Sequence, residues 1–224
     1  MITIGFLGPK GTFSQEAMRK YTKGSIEYTE VEFGSIHDII CAVRDKKIML
    51  GFVPMENSIE GSVNETLDML ATQEGLMIKA EINMHIRQNL LVKKGTRKED
   101  IKYILSHPQA LGQCRNYINK NFHDAQIRSI HSTAKAAQEV SRGSGDLAAI
   151  GSAAAVEVYG LDVLEHDIQD NDNNFTRFVV LAENDNERTG NDKTSIVFST
   201  EDKPGSLYRI LDIFNLWDIN MTKI

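Results

Sequence analysis

The feature that most constrains the fold is an alternation of short apolar runs with longer amphipathic segments. The apolar runs indicate strands, at residues 2–7, 48–53, 101–105, 127–130, 147–150 and 176–182. The amphipathic segments carry apolar residues every three or four positions and indicate helices, at residues 14–23, 35–46, 63–73, 108–121, 133–142 and 152–159. Strands that alternate with helices predict an α/β fold with mainly parallel sheets, whose ligand sites lie beside helix N-termini.

Two runs of strands and helices are separated by a long extended segment at residues 81–92, which we interpret as a crossover. We therefore expect two lobes with a cleft between them. The first lobe is expected to comprise residues 1–76 and 157–182, and the second residues 77–156.

The end of the chain differs in composition. Residues 183–193 contain no hydrophobic residue and indicate a linker. Residues 194–224 predict a strand at 194–199, a helix at 205–216 and the start of another strand at 218–224. This last part is too short to build a core of its own.

Local signals mark several ends of these elements. Thr12 and Gln15 have the spacing of a capping box, as do Ser62 and Glu65. Ser132 or Thr133 is expected to cap the helix that follows, and Gly160 to end a helix at Tyr159. Pro54 is expected to close the strand before it.

Composition excludes several classes of protein. The net charge of −6 argues against a nucleic-acid binder, which needs a basic face. No apolar run approaches the roughly 20 residues that span a bilayer. The first residues enter a strand directly, without the basic region of a signal peptide, so a cytoplasmic protein is expected. Cys41 and Cys114 lack metal-ligand spacing and are expected to be reduced core residues.

Chemistry is expected in five loops that bring small polar side chains to strand ends and helix N-termini. The first loop, residues 5–14, carries glycines at 5, 8 and 11 without the spacing of the dinucleotide fingerprint, although Glu30 and Glu32 lie at a distance along the chain suited to a ribose. His107 in the third loop is a candidate general base. No metal-binding or hydrolase motif occurs, so neither a cofactor nor a metal is indicated.

Taken together, four of these loops resemble the prephenate dehydratase family, in the same order along residues 1–182. The matching stretches are Gly8-Pro9-Lys10-Gly11-Thr12-Phe13-Ser14, Pro54-Met55-Glu56-Asn57-Ser58 with Glu60-Gly61-Ser62-Val63, Ser106-His107-Pro108-Gln109-Ala110-Leu111, and Asn174-Phe175-Thr176-Arg177-Phe178. Gly205-Ser206-Leu207-Tyr208 resembles the start of the regulatory ACT domain of that family. The resemblance implies a two-lobed fold like that of type II periplasmic binding proteins, followed by an incomplete α+β ACT domain.

The resemblance also implies a reaction and a site. The family converts prephenate to phenylpyruvate by losing water and carbon dioxide, without a cofactor. The catalytic residues it implies are Thr176, Glu56, Asn57 and Gln109. The substrate-binding residues it implies are Thr12, Phe13, Ser14, Asn57, Ser58, Ser106, Gln109, Ser132, Thr133, Asn174, Phe175, Arg177 and Phe178.

Regulation and assembly follow from the same resemblance. It implies L-phenylalanine as an effector at Gly205, Ser206 and Leu207, and a homodimer or homotetramer. It leaves open whether Thr176, Glu56 or water supplies the proton, and whether arogenate is also a substrate. Two alternatives remain from the residues themselves: a cytosolic sensor that binds a small anion in the same cleft, and a nucleotide-dependent oxidoreductase that uses the first loop.

Overall fold

The computed structural model describes residues 1–23 and 27–224, which form two compact units, Met1–Glu187 and Arg188–Ile224. The strands of the first unit are β1 (Ile2–Leu7), β2 (Tyr28–Phe33), β3 (Leu50–Asn57), β4 (Gly61–Ser62), β5 (Met77–His85), β6 (Asn89–Val92), β7 (Tyr103–Ser106), β8 (Gln126–Ser129), β9 (Leu147–Gly151), β10 (Asp162–Glu165) and β11 (Phe175–Ala182). Its α-helices are α1 (Phe13–Thr22), α2 (Ile36–Arg44), α3 (Asn64–Thr72), α4 (Pro108–Gln113), α5 (Arg115–Asn121), α6 (Thr133–Arg142) and α7 (Ala154–Tyr159).

Two sheets with the same topology form the first unit. The first sheet has the order β2-β1-β3-β11-β5, with β4 added to β3, and the second has the order β10-β6-β9-β7-β8. In the first sheet β2, β1 and β3 are parallel and β11 runs antiparallel to β3. In the second sheet β8, β7 and β9 are parallel in the same order, and β6 runs antiparallel to β9. The two-lobed α/β fold of the type II binding proteins is confirmed. The expectation of mainly parallel sheets is wrong, because β11 and β6 are antiparallel to their neighbours and make both sheets mixed.

The lobe boundaries differ from those expected. β5 was expected in the second lobe, but it pairs along its length with β11 in the first sheet. β10 was expected in the first lobe, but it pairs with β6 in the second sheet. A strand belongs to the sheet that satisfies its backbone hydrogen bonds, and that partner is not visible in the strand's own sequence. The chain crosses between the lobes at residues 86–88 and 166–174.

Sequence patterns missed three strands, β2, the two-residue β4 and β10, and misplaced two breaks. β2 is an edge strand, paired only with β1, and its charged residues hid it. β10 lies at the edge of the second sheet in the same way. Pro54 does not close its strand: β3 continues to Asn57, and Pro54 stands opposite Phe178 at a register shift, where a missing N–H is tolerated. The helix expected at 108–121 is divided at Cys114 into α4 and α5.

Most of the expected caps are present. Thr12 and Ser132 accept hydrogen bonds from the first turns of α1 and α6, and Gly160 ends α7 in the left-handed conformation. The capping box at Ser62 and Glu65 is wrong, because α3 begins at Asn64 after Val63, without a side-chain cap.

Phe178 belongs to the core of the first lobe, although it was expected to bind substrate. It is 2% exposed and packs against Phe52, with ring centroids 5.9 Å apart. Phe178 follows Thr176 by two positions on β11, so it lies on the same face but deeper beneath helix α1. Its position in the hydrophobic core explains its burial without any ligand.

The second unit contains one helix, α8 (Ser206–Leu216). The strands expected at 194–199 and from residue 218 are absent, because a strand needs a hydrogen-bonded partner and no described segment of this unit supplies one. Many large apolar side chains of this unit are exposed, among them Leu216 and Trp217. None of the helices in residues 1–23 and 27–224 combines the length and the hydrophobicity that crossing a membrane requires.

We expect Phe178→Ala to lower the free energy of unfolding by about 3–5 kcal/mol, since it removes a fully packed aromatic ring. Phe175→Ala on the same strand is the matched control. Phe175 is 45% exposed and stacks only on His85, so its loss should cost about 1 kcal/mol or less. Urea unfolding measures both variants. Equal losses would show that Phe178 is not a core residue.

Candidate active site

A cavity of about 220 Å³ lies in the first unit and is lined by residues of both lobes. Its walls come from the ends of β3 and β11, the N-termini of α1, α4 and α6, and the two crossovers. The lining residues are Phe13, Asn57, Ile86, Gln88, His107, Gln109, Ala110, Gln113, His131, Ser132, Thr133, Asn174 and Thr176. Strand ends and helix N-termini therefore converge on one cavity, as α/β folds arrange their ligand sites.

Asn57 and Thr176 form a hydrogen-bonded pair in the cavity wall built by the ends of β3 and β11. The two residues are direct partners in the antiparallel pairing of β3 with β11. Asn57 Oδ1 accepts hydrogen bonds from the backbone N–H groups of Ile59 (2.9 Å) and Glu60 (3.0 Å). This fixes the amide, so its Nδ2 donates to Thr176 Oγ1 at 2.9 Å. Thr176 Oγ1 is thus an acceptor within the protein, and no described residue accepts its own proton.

Glu56, a candidate proton donor, and Arg177, expected to bind substrate, do not line the cavity. They are the next pair along the same two strands, and neighbouring residues of a strand point to opposite faces. Arg177 forms ion pairs with Glu56 at 3.1 Å and with Glu81 at 3.3 Å. The side chains of Glu56 and Thr176 therefore point to opposite faces of the first sheet.

Helix N-termini supply the polar end of the cavity. Ser132 caps α6 by accepting from the backbone N–H of Lys135 at 3.1 Å, and Thr133 is the first residue of that helix. Partial positive charge at such an end favours a bound anion. No lysine or arginine is among the described residues that line the cavity, so the helix N-termini supply positive charge there that does not depend on protonation. The described residues contain no cluster of three His, Cys, Asp or Glu placed to hold a metal ion.

His107 lines the cavity and caps the short helix α4. Its Nδ1 accepts from the backbone N–H of Gln109 at 3.3 Å. In the neutral ring the proton therefore lies on Nε2, which makes His107 a hydrogen-bond donor in this geometry rather than the general base considered from the sequence.

Several residues expected to bind substrate serve local structure instead. Thr12 donates from Oγ1 to the carbonyl of Leu7 at 2.9 Å and caps α1. Ser106 is fully buried and donates to the carbonyl of Ile150 at 2.6 Å. Neither lines the cavity.

Three further residues of the expected site also lie outside the cavity lining. Ser14 is buried at the start of α1. Ser58 donates from Oγ to the carbonyl of Asn173 at 2.9 Å and accepts from the N–H of Phe175. Phe175 is stacked on His85 at 4.6 Å. The residues expected from the sequence that the structure brings together are Phe13, Asn57, Gln109, Ser132, Thr133, Asn174 and Thr176.

Sequence reasoning missed Ile86, Gln88, Ala110, Gln113 and His131 as cavity residues. Gln113 had a detectable signal, because it follows Gln109 by four positions and so lies on the same face of a helix. His131 directly precedes the cap of α6. Gln88 had no such signal, because it lies in a crossover whose path only the tertiary structure defines.

The contacts of Glu30 argue against the nucleotide interpretation of the first loop. Glu30, proposed to meet a ribose, accepts hydrogen bonds from Arg19 (2.8 Å) and Gln15 (2.5 Å). Burial by itself would raise the pKa of Glu30, but hydrogen bonds from Arg19 and Gln15 and the charge of Arg19 together hold that pKa below its ordinary value. A carboxylate engaged in this way is a structural ion pair of the first lobe.

The first loop is held instead by contacts with the second lobe. Tyr159 donates to the carbonyl of Lys10 at 2.7 Å, and Ser152 donates to the carbonyl of Gly11 at 3.0 Å. Gly11 has φ = 84°, and a Cβ there would lie 3.1 Å from Cα of Ala155. Only glycine allows this close approach of the two lobes.

Glu16 is half-buried near this contact, and burial raises the pKa of its carboxyl above the ordinary value of 4.5, while the charge of Lys20 opposes the rise. At low pH the carboxyl is neutral in both the folded and unfolded states. As pH rises above about 4.5 the unfolded state ionises first, so the folded state loses relative stability.

We therefore expect Glu16→Gln to be more stable than the wild type at pH 7, with a difference that shrinks as the pH is lowered toward about 4. Thermal melting at several pH values measures this. Glu74→Gln, at an exposed position, is the control and should show no such trend. A constant difference at all pH values would contradict the burial of an ionised carboxylate.

The fold and the cavity define a two-lobed α/β protein with a polar cavity between its lobes. The sequence matches the family model described as prephenate dehydratase over residues 4–186. The chain belongs to the prephenate dehydratase family.

Similar proteins include a bifunctional chorismate mutase/prephenate dehydratase of Aquifex aeolicus, 40% identical over 223 residues. The match covers all of this chain and 60% of that protein, so the chain spans about three fifths of that relative's length.

Two solved structures share the fold. A prephenate dehydratase of Arthrobacter aurescens in complex with L-Phe is 35% identical with a TM-score of 0.90, and the match covers 100% of this chain and 75% of that one. GqqA, described as a novel type of quorum quenching acylase, is 26% identical with a TM-score of 0.81, covering 99% and 80%. One fold thus carries proteins described by different activities, so the activity of this chain has to be argued from its site.

Proposed function

We propose that the chain converts prephenate to phenylpyruvate by decarboxylative dehydration without a cofactor, as a carbon–oxygen lyase of phenylalanine biosynthesis. The observation that carries the proposal is Thr176: its Oγ1 accepts from Asn57, and its proton is free to be donated into a cavity flanked by helix N-termini. This arrangement suits a dianionic substrate that must lose a hydroxyl group. Family membership supports the same reaction.

In this proposal the carboxylates of prephenate bind at the N-termini of α6 and α4, beside Ser132, Thr133 and Gln109, which line the cavity. This orients the ring so that its hydroxyl meets Thr176. Phe13 supplies an apolar wall of the cavity. The binding energy of the carboxylates thereby fixes the position of the leaving group.

In the reaction the ring C–O bond breaks and its electron pair goes to oxygen, which leaves as water after gaining a proton. The bond to the ring carboxylate breaks at the same time, releases carbon dioxide and gives its electrons to the aromatic ring. Thr176 donates to the departing oxygen. A threonine hydroxyl is a weak acid, and the hydrogen bond from Asn57 to Oγ1 stabilises the charge that develops on it. Such assistance is typically worth about 10² to 10⁴ in rate.

Thr176→Val should lower kcat by about 10² or more, because valine keeps the shape but cannot donate. The measurement is phenylpyruvate formation by absorbance, with circular dichroism to verify the fold. Thr72→Val, on helix α3 outside the cavity, is the control and should retain wild-type turnover.

Near-wild-type turnover in Thr176→Val would remove Thr176 from the mechanism. Binding of prephenate by calorimetry without turnover in the wild type would instead support the alternative, a cytosolic sensor that binds a small anion.

We further propose that L-phenylalanine regulates the chain through Gly205, Ser206 and Leu207. Gly205 precedes α8 with φ = 80°, and Ser206 and Leu207 open that helix, whose N-terminus suits the carboxylate of an amino acid. The complex of the Arthrobacter aurescens relative with L-Phe supports this effector.

We propose assembly as a homodimer or homotetramer in the cytoplasm. The exposed apolar side chains of the second unit support assembly, because a patch of this kind is usually covered by a partner. The two cysteines are free, which supports a reducing compartment.

Light scattering of the chain should give two or four times its mass of 25.1 kDa, and Leu216→Glu, at a 78% exposed apolar position of α8, should shift the mass toward the monomer. L-phenylalanine added to the activity assay should lower turnover in the wild type and less in Leu216→Glu. Lys223→Glu, a charge change in the same unit, is the control for the mass. A monomeric wild type would contradict the assembly.

A further inference from the structure

Gln88 presents a polar atom that the protein leaves without a partner. The residue is 3% exposed and lines the cavity. Its backbone is held on both sides, since its N–H donates to Gln169 Oε1 at 2.9 Å and its carbonyl accepts from Ile168 at 2.8 Å. Its Oε1 is buried and accepts no hydrogen bond from any described residue. A buried acceptor without a donor costs about 1–3 kcal/mol, so a ligand that supplies a donor would recover that cost.

The orientation of this amide follows from a chain of hydrogen bonds that begins at the backbone. Because Asn57 Oδ1 accepts from two backbone N–H groups, its Nδ2 has to donate, and it donates to Asn174 Oδ1 at 2.8 Å. Asn174 Nδ2 therefore donates to Gln113 Oε1 at 3.1 Å. Gln88 Nε2 donates to that same Gln113 oxygen at 3.1 Å. Each amide fixes the next, so the unpartnered atom of Gln88 is its acceptor oxygen.

The same chain of amides has Thr176 at its other end. Asn57 Nδ2 donates to Thr176 Oγ1 as well as to Asn174, which leaves the Thr176 proton for donation. Thr176 and Gln88 both line the cavity, and among the described residues the hydroxyl proton of Thr176 has no acceptor and Oε1 of Gln88 has no donor. A hydroxyl group is both donor and acceptor, so a single hydroxyl can satisfy both atoms at once.

We propose that Gln88 and Thr176 bind the leaving hydroxyl of the substrate between them, with Thr176 donating to its oxygen and Gln88 Oε1 accepting its proton. The inference rests on the proposed dehydration. As the C–O bond breaks, the oxygen takes the bonding pair and a proton and becomes water, which donates to Gln88 as the hydroxyl did. Gln88 therefore keeps the lone pairs of the oxygen directed at Thr176 throughout the step.

The alternative donor for Gln88 is the ammonium of arogenate, which replaces the keto group of prephenate. An ammonium accepts no hydrogen bond, so it would leave Thr176 unsatisfied. No aspartate or glutamate is among the lining residues, so a buried ammonium would also lack a counter-charge. The geometry therefore favours the hydroxyl at Gln88 and the keto acid as the substrate.

The test is Gln88→Met, which keeps the length of the side chain and removes the acceptor. We expect kcat with prephenate to fall about tenfold, because the lone pairs of the hydroxyl oxygen are no longer held toward Thr176 when the C–O bond breaks, while KM stays within about threefold. Phenylpyruvate lacks the ring hydroxyl, so its inhibition constant should not change. Gln126→Met, on the exposed strand β8, is the matched control and should behave as the wild type.

A second variant protects the test against loss of folding. Gln88→Asn keeps an amide with both its acceptor oxygen and its donor N–H groups, and its kcat should exceed that of Gln88→Met. The proposal is overturned if Gln88→Met retains wild-type kcat, if both variants lose the same activity, or if phenylpyruvate inhibition weakens as much as kcat falls, which would indicate a general distortion. If Gln88→Met lost turnover of arogenate but kept that of prephenate, the ammonium of arogenate would lie at Gln88, and the proposal would also be overturned. A wild type without prephenate turnover would refute the proposed reaction itself, which is a separate outcome.

Discussion

The site depends on the register in which β11 enters the first sheet between β3 and β5. This antiparallel pairing sets Thr176 opposite Asn57 and Arg177 opposite Glu56. Because side chains alternate between the faces of a strand, a slip of one residue would direct Arg177 into the cavity and bury Thr176 on the other face. The register is held by the buried apolar residues Val179, Val180 and Leu181, which pack on both faces of the same strand.

The cavity contains no lysine or arginine among its described lining residues. Its charge comes from helix N-termini, and its hydrogen bonds come from amides and hydroxyls. Neutral groups of this kind are oriented before the substrate arrives, because each amide is fixed by the next, starting at the backbone of Ile59 and Glu60. Groups oriented in advance need no reorganisation when charge develops on a leaving oxygen. The two crossovers belong to this arrangement, since they carry Gln88 and Asn174.

Much of the architecture could be predicted locally. The alternation of strands and helices indicated an α/β protein, the segment at 81–92 indicated the crossover, and Thr12, Ser132 and Gly160 marked helix ends, because capping depends on residues that are neighbours in the chain. Strand partners could not be predicted, because hydrogen bonds between strands join residues far apart in sequence. This is why β5 and β10 were assigned to the wrong lobes, and why the edge strand β2 was overlooked.

The order of the motifs by itself determined the family, and the pattern of apolar runs determined two lobes with a cleft. The resemblance to the family also implied that Asn57, Gln109 and Thr176 belong to one site, and all three line the cavity. Only the tertiary structure decided which side chains reach the cavity. It turned Glu56 and Arg177 to the other face of the sheet, buried Phe178 in the core and brought Gln88 to the cavity wall. The physical reason is that the direction of a side chain depends on the register of its strand and on the path of the crossovers. Both are set by packing between segments that are distant in the sequence.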